Sequence, residues 1–136
     1  MATATSLQSP IWAVGRRKNA TARVRLIKGQ GKFVINDHSL EDFFGGHARA
    51  KWQVMRPFEV AKLGTQYDIF VDVTGGGVNG QAGAVSHGLA RAFAKLENPL
   101  RLAMRKEGLL TRDSRMVERK KSGQPKARKR FQYSKR

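Results

Sequence analysis

The chain has 136 residues, enough for one domain with a modest hydrophobic core, and carries 27 Lys and Arg against 10 Asp and Glu. Its net charge of +17 predicts a polyanionic partner, for which nucleic acid is the usual candidate. The absence of cysteine excludes disulfides, cysteine zinc sites and thiol catalysis. No apolar run approaches the roughly 20 residues of a membrane helix. We therefore expect neither a membrane nor a small-molecule substrate as partner.

The charge is concentrated near the carboxyl terminus. The first 100 residues hold thirteen basic and seven acidic residues, whereas the last 36 hold fourteen and three. After Glu118 there are nine basic residues and no acid, and the segment lacks helical or alternating apolar periodicity. Such a segment buries too little apolar surface to order itself. We predict a flexible leader at 1–10, which lacks the features of a secretion signal, a folded body at 11–108 and an extended basic tail at 109–136.

The first part of the body predicts three strands. Residues 11–15 fit an edge strand, residues 21–27 alternate apolar with polar side chains, and residues 32–36 fit a third, short strand. Because only a GQG break separates the last two, we expect them to pair as a hairpin. Arg23 and Arg25 make the outward face of the second strand cationic.

Two helices and a strand follow. Ser39 is a candidate N-cap for a short helix through Phe44, and residues 47–55 predict a second helix that Pro57 stops. Residues 67–73 form the strongest strand pattern in the chain, with apolar residues at every second position.

The last part of the body predicts two more helices. Residues 81–96 predict a long helix, and His87, Arg91 and Lys95 recur every four residues as a basic ridge on its solvent side. A shorter helix follows and closes at Gly108. Strands followed by interleaved helices favour an α+β fold: a two-layer sandwich of a mixed sheet with helices on one face.

The most enzyme-like stretch is TGGGVNGQAGA. Gly75, Gly77 and Gly80 fit a dinucleotide-binding spacing and also the first half of a Walker A loop. Gln81 and Ala82 stand where a nucleoside triphosphatase needs Lys and Ser or Thr. The alternatives are nucleotide binding, a tight strand-to-helix connection, and contact with RNA phosphate at a helix N-terminus. We favour RNA, without a cofactor or catalysis; a phosphoryl-transfer enzyme and an architectural DNA-binding protein are the rival functions.

Other chemically capable residues have structural interpretations. The three histidines lack metal-ligand spacing, so we expect them to be solvated or packed. Asp68 and Asp72 lie on one strand face and fit edge charges or arginine partners better than an acid–base pair. We expect Trp12 and Trp52 to pack rather than to stack on a base.

The tail combines arginine with aromatic residues. Arginine pairs bidentately with phosphate, and the alternating Phe131 and Tyr133 suit stacking on exposed bases. The alternatives are a solvated disordered run and a nuclear targeting signal, and we favour insertion into nucleic acid. The tail residues predicted to contact RNA are Arg112, Arg115, Arg119, Lys120, Lys121, Lys126, Arg128, Lys129, Arg130, Phe131 and Tyr133.

The chain resembles the ninth protein of the small ribosomal subunit, of the bacterial type, in four collinear stretches: GRRKNATARVRL, VTGGGVNGQAGAVSHGLARA, LTRDSRMVERKK and RKRFQYSKR. The resemblance implies an α+β sandwich with a left-handed βαβ crossover. It also implies binding to the 3′ major domain of the small-subunit rRNA, beside neighbouring proteins of the subunit head. The tail of this family threads through rRNA towards the P-site tRNA, a contact that falls here to Ser134, Lys135 and Arg136.

The resemblance also implies rRNA contacts at the GRRK stretch and at the glycine segment 75–83. Tyr133 stands where Phe is common in the family, and the SGQP segment 122–125 is less basic than in many relatives. We expect a ribosome-bound protein of the cytoplasm, with a plastid ribosome as the alternative. The body residues predicted to contact rRNA are Arg16, Arg17, Lys18, Arg23, Arg25, Gly75, Gly76, Gly77, Asn79, Gly80, Gln81, His87 and Arg91.

Overall fold

The structure, a computed structural model, describes residues 9–135. Most of the predicted leader therefore lies outside the described residues, as does Arg136 of the predicted tRNA-contacting tip. The elements in chain order are β1 (Ile11–Arg17), β2 (Ala20–Lys28), β3 (Phe33–Ile35), β4 (His38–Ser39), α1 (Leu40–Phe44), α2 (Ala48–Ala61), β5 (Tyr67–Thr74), α3 (Val78–Leu96) and α4 (Asn98–Lys106).

The five strands form one mixed sheet in the order β1-β2-β5-β3-β4. Strands β3 and β5 are parallel, and the other neighbouring pairs are antiparallel. The α+β class and the mixed sheet are thus as predicted. The predicted hairpin between the second and third strands is wrong, because β5 lies between β2 and β3 and the hairpin is formed by β1 and β2.

Asp68 explains why β2 and β3 do not pair. Its carboxylate accepts hydrogen bonds from the amides of Gln30, Gly31 and Lys32 at 2.9, 3.0 and 2.9 Å. These bonds hold the connection between β2 and β3 against the start of β5. The chain therefore crosses this end of β5, and β3 pairs with β5 on the side away from β2. Asp68 is therefore a loop-organising residue rather than an edge charge or an arginine partner, and the amides lower the pKa of its carboxyl.

One face of the sheet is buried against α3. The alternating residues Ile69, Val71 and Val73 of β5 are buried, as the sequence pattern predicted, and Leu89 and Phe93 of α3 belong to the same core. The opposite face carries half-buried and exposed side chains. This arrangement gives the two layers of the sandwich, with α2 and α4 packed beside α3.

The close packing of α3 on β1 depends on two glycines. A Cβ atom on Gly15 would overlap the carbonyl oxygen of Ala84 and the amide of Gly88. A Cβ atom on Gly88 would lie 2.7 Å from Cγ2 of Val24. The helix and strand backbones therefore approach each other more closely than any larger residue permits.

The helix predictions have mixed outcomes. The Ser39 hydroxyl caps α1 by accepting from the Asp42 amide at 3.2 Å, as predicted. The predicted stop of α2 before Pro57 is wrong, since α2 continues to Ala61. Pro57 removes one helical hydrogen bond, but its ring is fully buried, and burial on the apolar face offsets that loss.

The remaining helices follow the sequence more closely. Helix α3 begins at Val78, three residues before the predicted start, and α4 ends before Gly108, whose φ of +73° closes it. Within the described residues, 109–135 contain no helix or strand. None of the helices described for residues 9–135 is long and apolar enough to cross a membrane.

Candidate nucleic-acid interface

The GRRK stretch and the glycine segment, predicted separately as RNA contacts, are neighbours in the structure. Arg17 ends β1, and its side chain lies against the first turns of α3, where a Cβ atom on Gly83 would overlap it. Lys18, with φ of 51°, turns the chain into β2. A Cβ atom on Gly75 would lie 2.5 Å from the carbonyl oxygen of Asn19 in this turn. The turn and the glycine segment therefore pack as one unit.

The glycine loop is short and closed. Gly75 and Gly76 have φ of +75° and +69°, and Gly77 is the N-cap of α3, so the loop spans three residues. Gln81 donates from Nε2 to the carbonyl oxygen of Gly75 at 3.3 Å. The side chain at the Walker lysine position thus braces the loop. Gly80 lies within α3 and is buried, and a Cβ atom on it would lie 3.5 Å from the carbonyl oxygen of Arg17.

His87 connects three parts of the molecule. Its Nδ1 accepts from the amide of Arg16 at 3.3 Å, and its Nε2 donates to the carbonyl oxygen of Leu110 at 3.2 Å. Burial lowers the pKa of the imidazole, and the positive charges of Arg91 and Arg112 lower it further, against the opposing effect of the Leu110 carbonyl. The neutral ring therefore ties the start of the tail to β1.

Asp113 organises the arginines beside this junction. Its carboxylate pairs with Arg115, whose Nη2 lies 2.7 Å from Oδ2, and with Arg17, whose Nη2 lies 3.6 Å from the same oxygen. The hydrogen bonds from Arg115 hold the pKa of Asp113 well below its usual range. Sequence reasoning missed this residue, although its position as the one acid in the TRDSR stretch was a usable signal.

A continuous basic groove surrounds Asp113. Two adjoining depressions, of about 240 and 380 Å³, lie between β1, α2, α3 and the start of the tail. Both are lined by Arg17, Asp113 and Arg115. Arg49 and Arg56 of α2 also line it, although the sequence had not identified them as candidates. We call this surface the basic groove; its cations are Arg16, Arg17, Lys18, Arg49, Arg56 and Arg115.

The predicted basic ridge of α3 runs along the outer edge of β1. Arg91 donates from Nη1 to the carbonyl oxygen of Val14 at 2.6 Å, and Lys95 donates to the carbonyl oxygen of Trp12. Both side chains are exposed, as predicted, whereas His87 is half-buried. Since β1 is an edge strand, the ridge satisfies backbone groups that no strand pairs with.

Arg23 and Arg25 lie on the sheet face opposite α3. The guanidinium of Arg25 is 4.8 Å from the Phe70 ring centroid and 5.8 Å from that of Trp12, and Arg23 is 5.5 Å from Trp12. Trp12 is 44% exposed, and Trp52 on α2 is 56% exposed. Each tryptophan packs against arginine side chains, Trp12 against Arg23 and Arg25 and Trp52 against Arg56, and each remains exposed at the surface.

Beyond Arg115, Met116 and Val117 still line the basic groove. Glu118 accepts from Lys121 and, at 2.9 Å, from Nε of Arg128, and these bonds lower the pKa of its carboxyl. Phe131 and Tyr133 are 69% and 87% exposed. The other predicted tail contacts among the described residues, including Ser134 and Lys135, are exposed as well. The aromatic rings are thus available to a partner.

A protein-family model described as ribosomal protein S9/S16 matches residues 15–136. The match covers the last three residues of β1, every later element of the body and the whole basic segment that follows α4. It includes the basic groove, the glycine loop and the exposed aromatic residues of the tail.

Proposed function

The chain belongs to the ribosomal protein S9/S16 family, and from this premise we propose that it is a structural protein of the small subunit that binds rRNA of the subunit head. Members of the family are RNA-binding components of the ribosome. The observation that carries the proposal is the basic groove, in which cations from β1, α2 and the start of the tail line one surface.

The groove has the chemistry of a phosphate-binding surface. Arg17 and Arg115 converge on the Asp113 carboxylate, which holds two planar guanidinium groups in one region. Guanidinium groups bind phosphate oxygens in the same bidentate manner as carboxylates. We expect rRNA phosphates to be bound by the outer cations, Arg16, Lys18 and Arg49, while Asp113 orients the inner pair. The amides of the glycine loop at the start of α3 add donors at the same end.

The segment 109–136 acts as the second RNA-binding part. Its exposed Phe131 and Tyr133 stack on unpaired bases, and its arginines neutralise phosphates along the path. Binding to RNA replaces the internal pairing of Glu118 with Lys121 and Arg128. The end of the segment, Ser134, Lys135 and Arg136, contacts the P-site tRNA, as the family resemblance implies.

Two further features of the resemblance belong to the proposal. The connection from β3 to the parallel β5, through β4, α1 and α2, is the left-handed crossover of the family. The protein works on a ribosome of the cytoplasm or of an organelle, beside other proteins of the subunit head. An experimental structure of the assembled subunit would reveal both the handedness and the neighbours.

The groove is tested by measuring the affinity of the full chain for a 3′ major domain rRNA fragment across a salt series. The double variant R16A/K18A, which removes two of the outer cations, should bind about ten-fold more weakly and should reduce the slope of log affinity against log salt by about 1.4 to 1.8. K106A, an exposed cation on α4 outside the groove, should have a smaller effect on both quantities. Equal effects of the double variant and K106A would contradict the proposal that the groove binds rRNA phosphates.

The tail is tested in purified mutant subunits. The variant K135A/R136A keeps the chain length and should incorporate normally but bind P-site tRNA more weakly. Q132A, which removes no charge and lies outside the proposed tRNA contact, serves as the control. Unchanged tRNA affinity in subunits that contain K135A/R136A would refute the proposed tRNA contact.

A further inference from the structure

A row of side chains crosses the sheet on the face opposite α3. The backbone register places Trp12 of β1 beside Arg25 of β2, and Arg25 beside Phe70 of β5. It continues with Val34 of β3 beside Phe70. We call Trp12, Arg25, Phe70 and Val34 the aromatic row. It consists of two aromatic rings with a cation between them and an aliphatic residue at one end.

Trp12 is the more accessible ring of the row, at 44% exposed, whereas Phe70 is half-buried. Arg25 is held between the two rings by the cation–π contacts described above, and its Nε is buried without a hydrogen-bond partner among the described residues. Lys32 lies 6.0 Å from the Phe70 ring centroid. A depression of about 130 Å³ lies between the rings, with Asp37 and Asp72 on its wall. The row is therefore a shallow site with aromatic, cationic and acceptor groups.

The chemistry of these groups favours one class of occupant. Three cations surround the two rings: Arg23, Arg25 and Lys32. Two carboxylates, those of Asp37 and Asp72, line the same depression. Cations beside exposed rings bind an unpaired strand of nucleic acid, because bases stack on the rings while phosphates pair with the cations. Duplex RNA offers no free base face to the rings. The site also lies on a different sheet face from the helix that bears the glycine loop.

We propose that the aromatic row is a docking platform for a single-stranded RNA segment. A base stacks on Trp12 or Phe70, the neighbouring phosphates pair with Arg23 and Lys32, and a carboxylate in the depression accepts from an exocyclic amino group of the base. This inference rests on the proposed RNA-binding function. It adds to that function a base-stacking site on the body, apart from the tail aromatics.

Tryptophan fluorescence tests the platform on the full chain. The variant W52F leaves Trp12 as the single tryptophan, and W12F leaves Trp52, which is similarly exposed and lies beside Arg56 at 5.8 Å. A ten-nucleotide oligoadenylate should quench W52F strongly and W12F weakly. An abasic strand of equal length, which carries the same phosphates, should quench W52F much less. Equal quenching by both strands would overturn the stacking claim.

Affinities provide a second measurement. W12L should weaken oligoadenylate binding about ten-fold without changing the salt slope, since stacking is lost and no charge is removed. W52L should bind as the wild type does. Circular dichroism and thermal unfolding verify that both variants fold; if W12L does not fold, F70L provides the same comparison. Wild-type affinity in a folded W12L or F70L variant would overturn the proposal.

A crosslink identifies the occupant in the ribosome. Subunits assembled with a photoreactive phenylalanine analogue at position 70 should yield an adduct with rRNA. An adduct with a protein would overturn the inference and make the row a protein interface. Neither crosslinking result depends on the basic groove. Failure of the full chain to bind any rRNA fragment would refute the proposed function. If the chain binds rRNA but substitutions in the aromatic row have no effect, this inference alone is refuted.

Discussion

The guanidinium of Arg91 donates to the carbonyl oxygen of Val14 across 2.6 Å and joins the longest helix to the outer edge of the sheet. Val14 belongs to β1, an edge strand whose outward backbone groups have no partner strand. Such edges are prone to pairing with other chains. The ridge on α3 protects this edge, so cations that suggested RNA contact also have a structural role.

Replacement of Arg91 by alanine should destabilise the fold by about 1 kcal/mol, because one charge-assisted hydrogen bond at a solvated edge is lost. Urea unfolding measures the loss, and hydrogen exchange should locate it in β1. R101A removes the same charge from α4, where the side chain makes no hydrogen bond within the described residues. If R101A were equally destabilising, the effect would be one of charge rather than of edge protection.

Replacement of Gly15 by alanine should destabilise the protein by about 3 kcal/mol, because the new methyl group would overlap the backbone of α3 at Ala84 and Gly88. Thermal or urea unfolding measures this. The matched control is G46A, since a Cβ atom on Gly46 would have no atom within 4 Å. A G15A variant as stable as G46A would show that α3 does not pack on β1 as closely as described.

Acidification should weaken the junction at His87. Its pKa is lowered in the folded state, so the unfolded chain takes up the proton first as the pH falls. The stabilisation is therefore complete above the ordinary value of 6.5 and is lost as the pH falls towards the folded pKa. Protonation also removes the acceptor for the Arg16 amide. Unfolding measured from pH 8 to pH 5 should show this loss in the wild type.

The control for this pH dependence is a pair of glutamine variants. H87Q should lack the loss of stability between pH 6.5 and pH 5, whereas H47Q, which replaces an exposed histidine, should retain it. A pH profile of H87Q that matches the wild type would assign the titration to another group.

Replacement of Asp68 by asparagine should loosen the 29–32 connection, because a neutral amide oxygen accepts three backbone amides less strongly than a carboxylate. The folded pKa of Asp68 lies below 3.8, so its stabilisation is present above that pH and is lost as the pH falls through the folded value. D68N should thus unfold at a lower temperature than the wild type at pH 7, and the two unfolding temperatures should converge as the pH falls below 3.8. D72N, on the same strand, should show no such convergence.

Local patterns in the sequence predicted much of the fold. The alternation in β2 and β5, the Ser39 cap of α1 and the Gly108 stop after α4 depend on residues close in the chain, and each agrees with the structure. The hairpin prediction failed because strand order depends on a contact between Asp68 and residues 36 to 38 positions earlier. The helix stop at Pro57 failed because burial of its ring outweighs its local penalty.

The candidate site was likewise only partly predictable from the sequence. Charge alone indicated a polyanionic partner, and the GRRK stretch and the glycine segment were recognisable as motifs. The sequence did not reveal that these two motifs are adjacent, because their adjacency arises from the packing of the β1–β2 turn on the start of α3. Arg49, Arg56 and Asp113 join the groove through folding and lack a motif of their own.

By itself the sequence determined the net charge, its concentration in the last 36 residues, and most elements, since these properties depend on composition and near neighbours. Only the tertiary structure decided which cations are exposed to a partner and which bind the protein's own backbone. Arg91 and Arg23 look alike in the sequence, yet one lies at the β1 edge and the other on the open sheet face. The physical reason is that hydrogen-bond partners and burial are set by residues distant in the chain, which meet only when the sheet and α3 pack together.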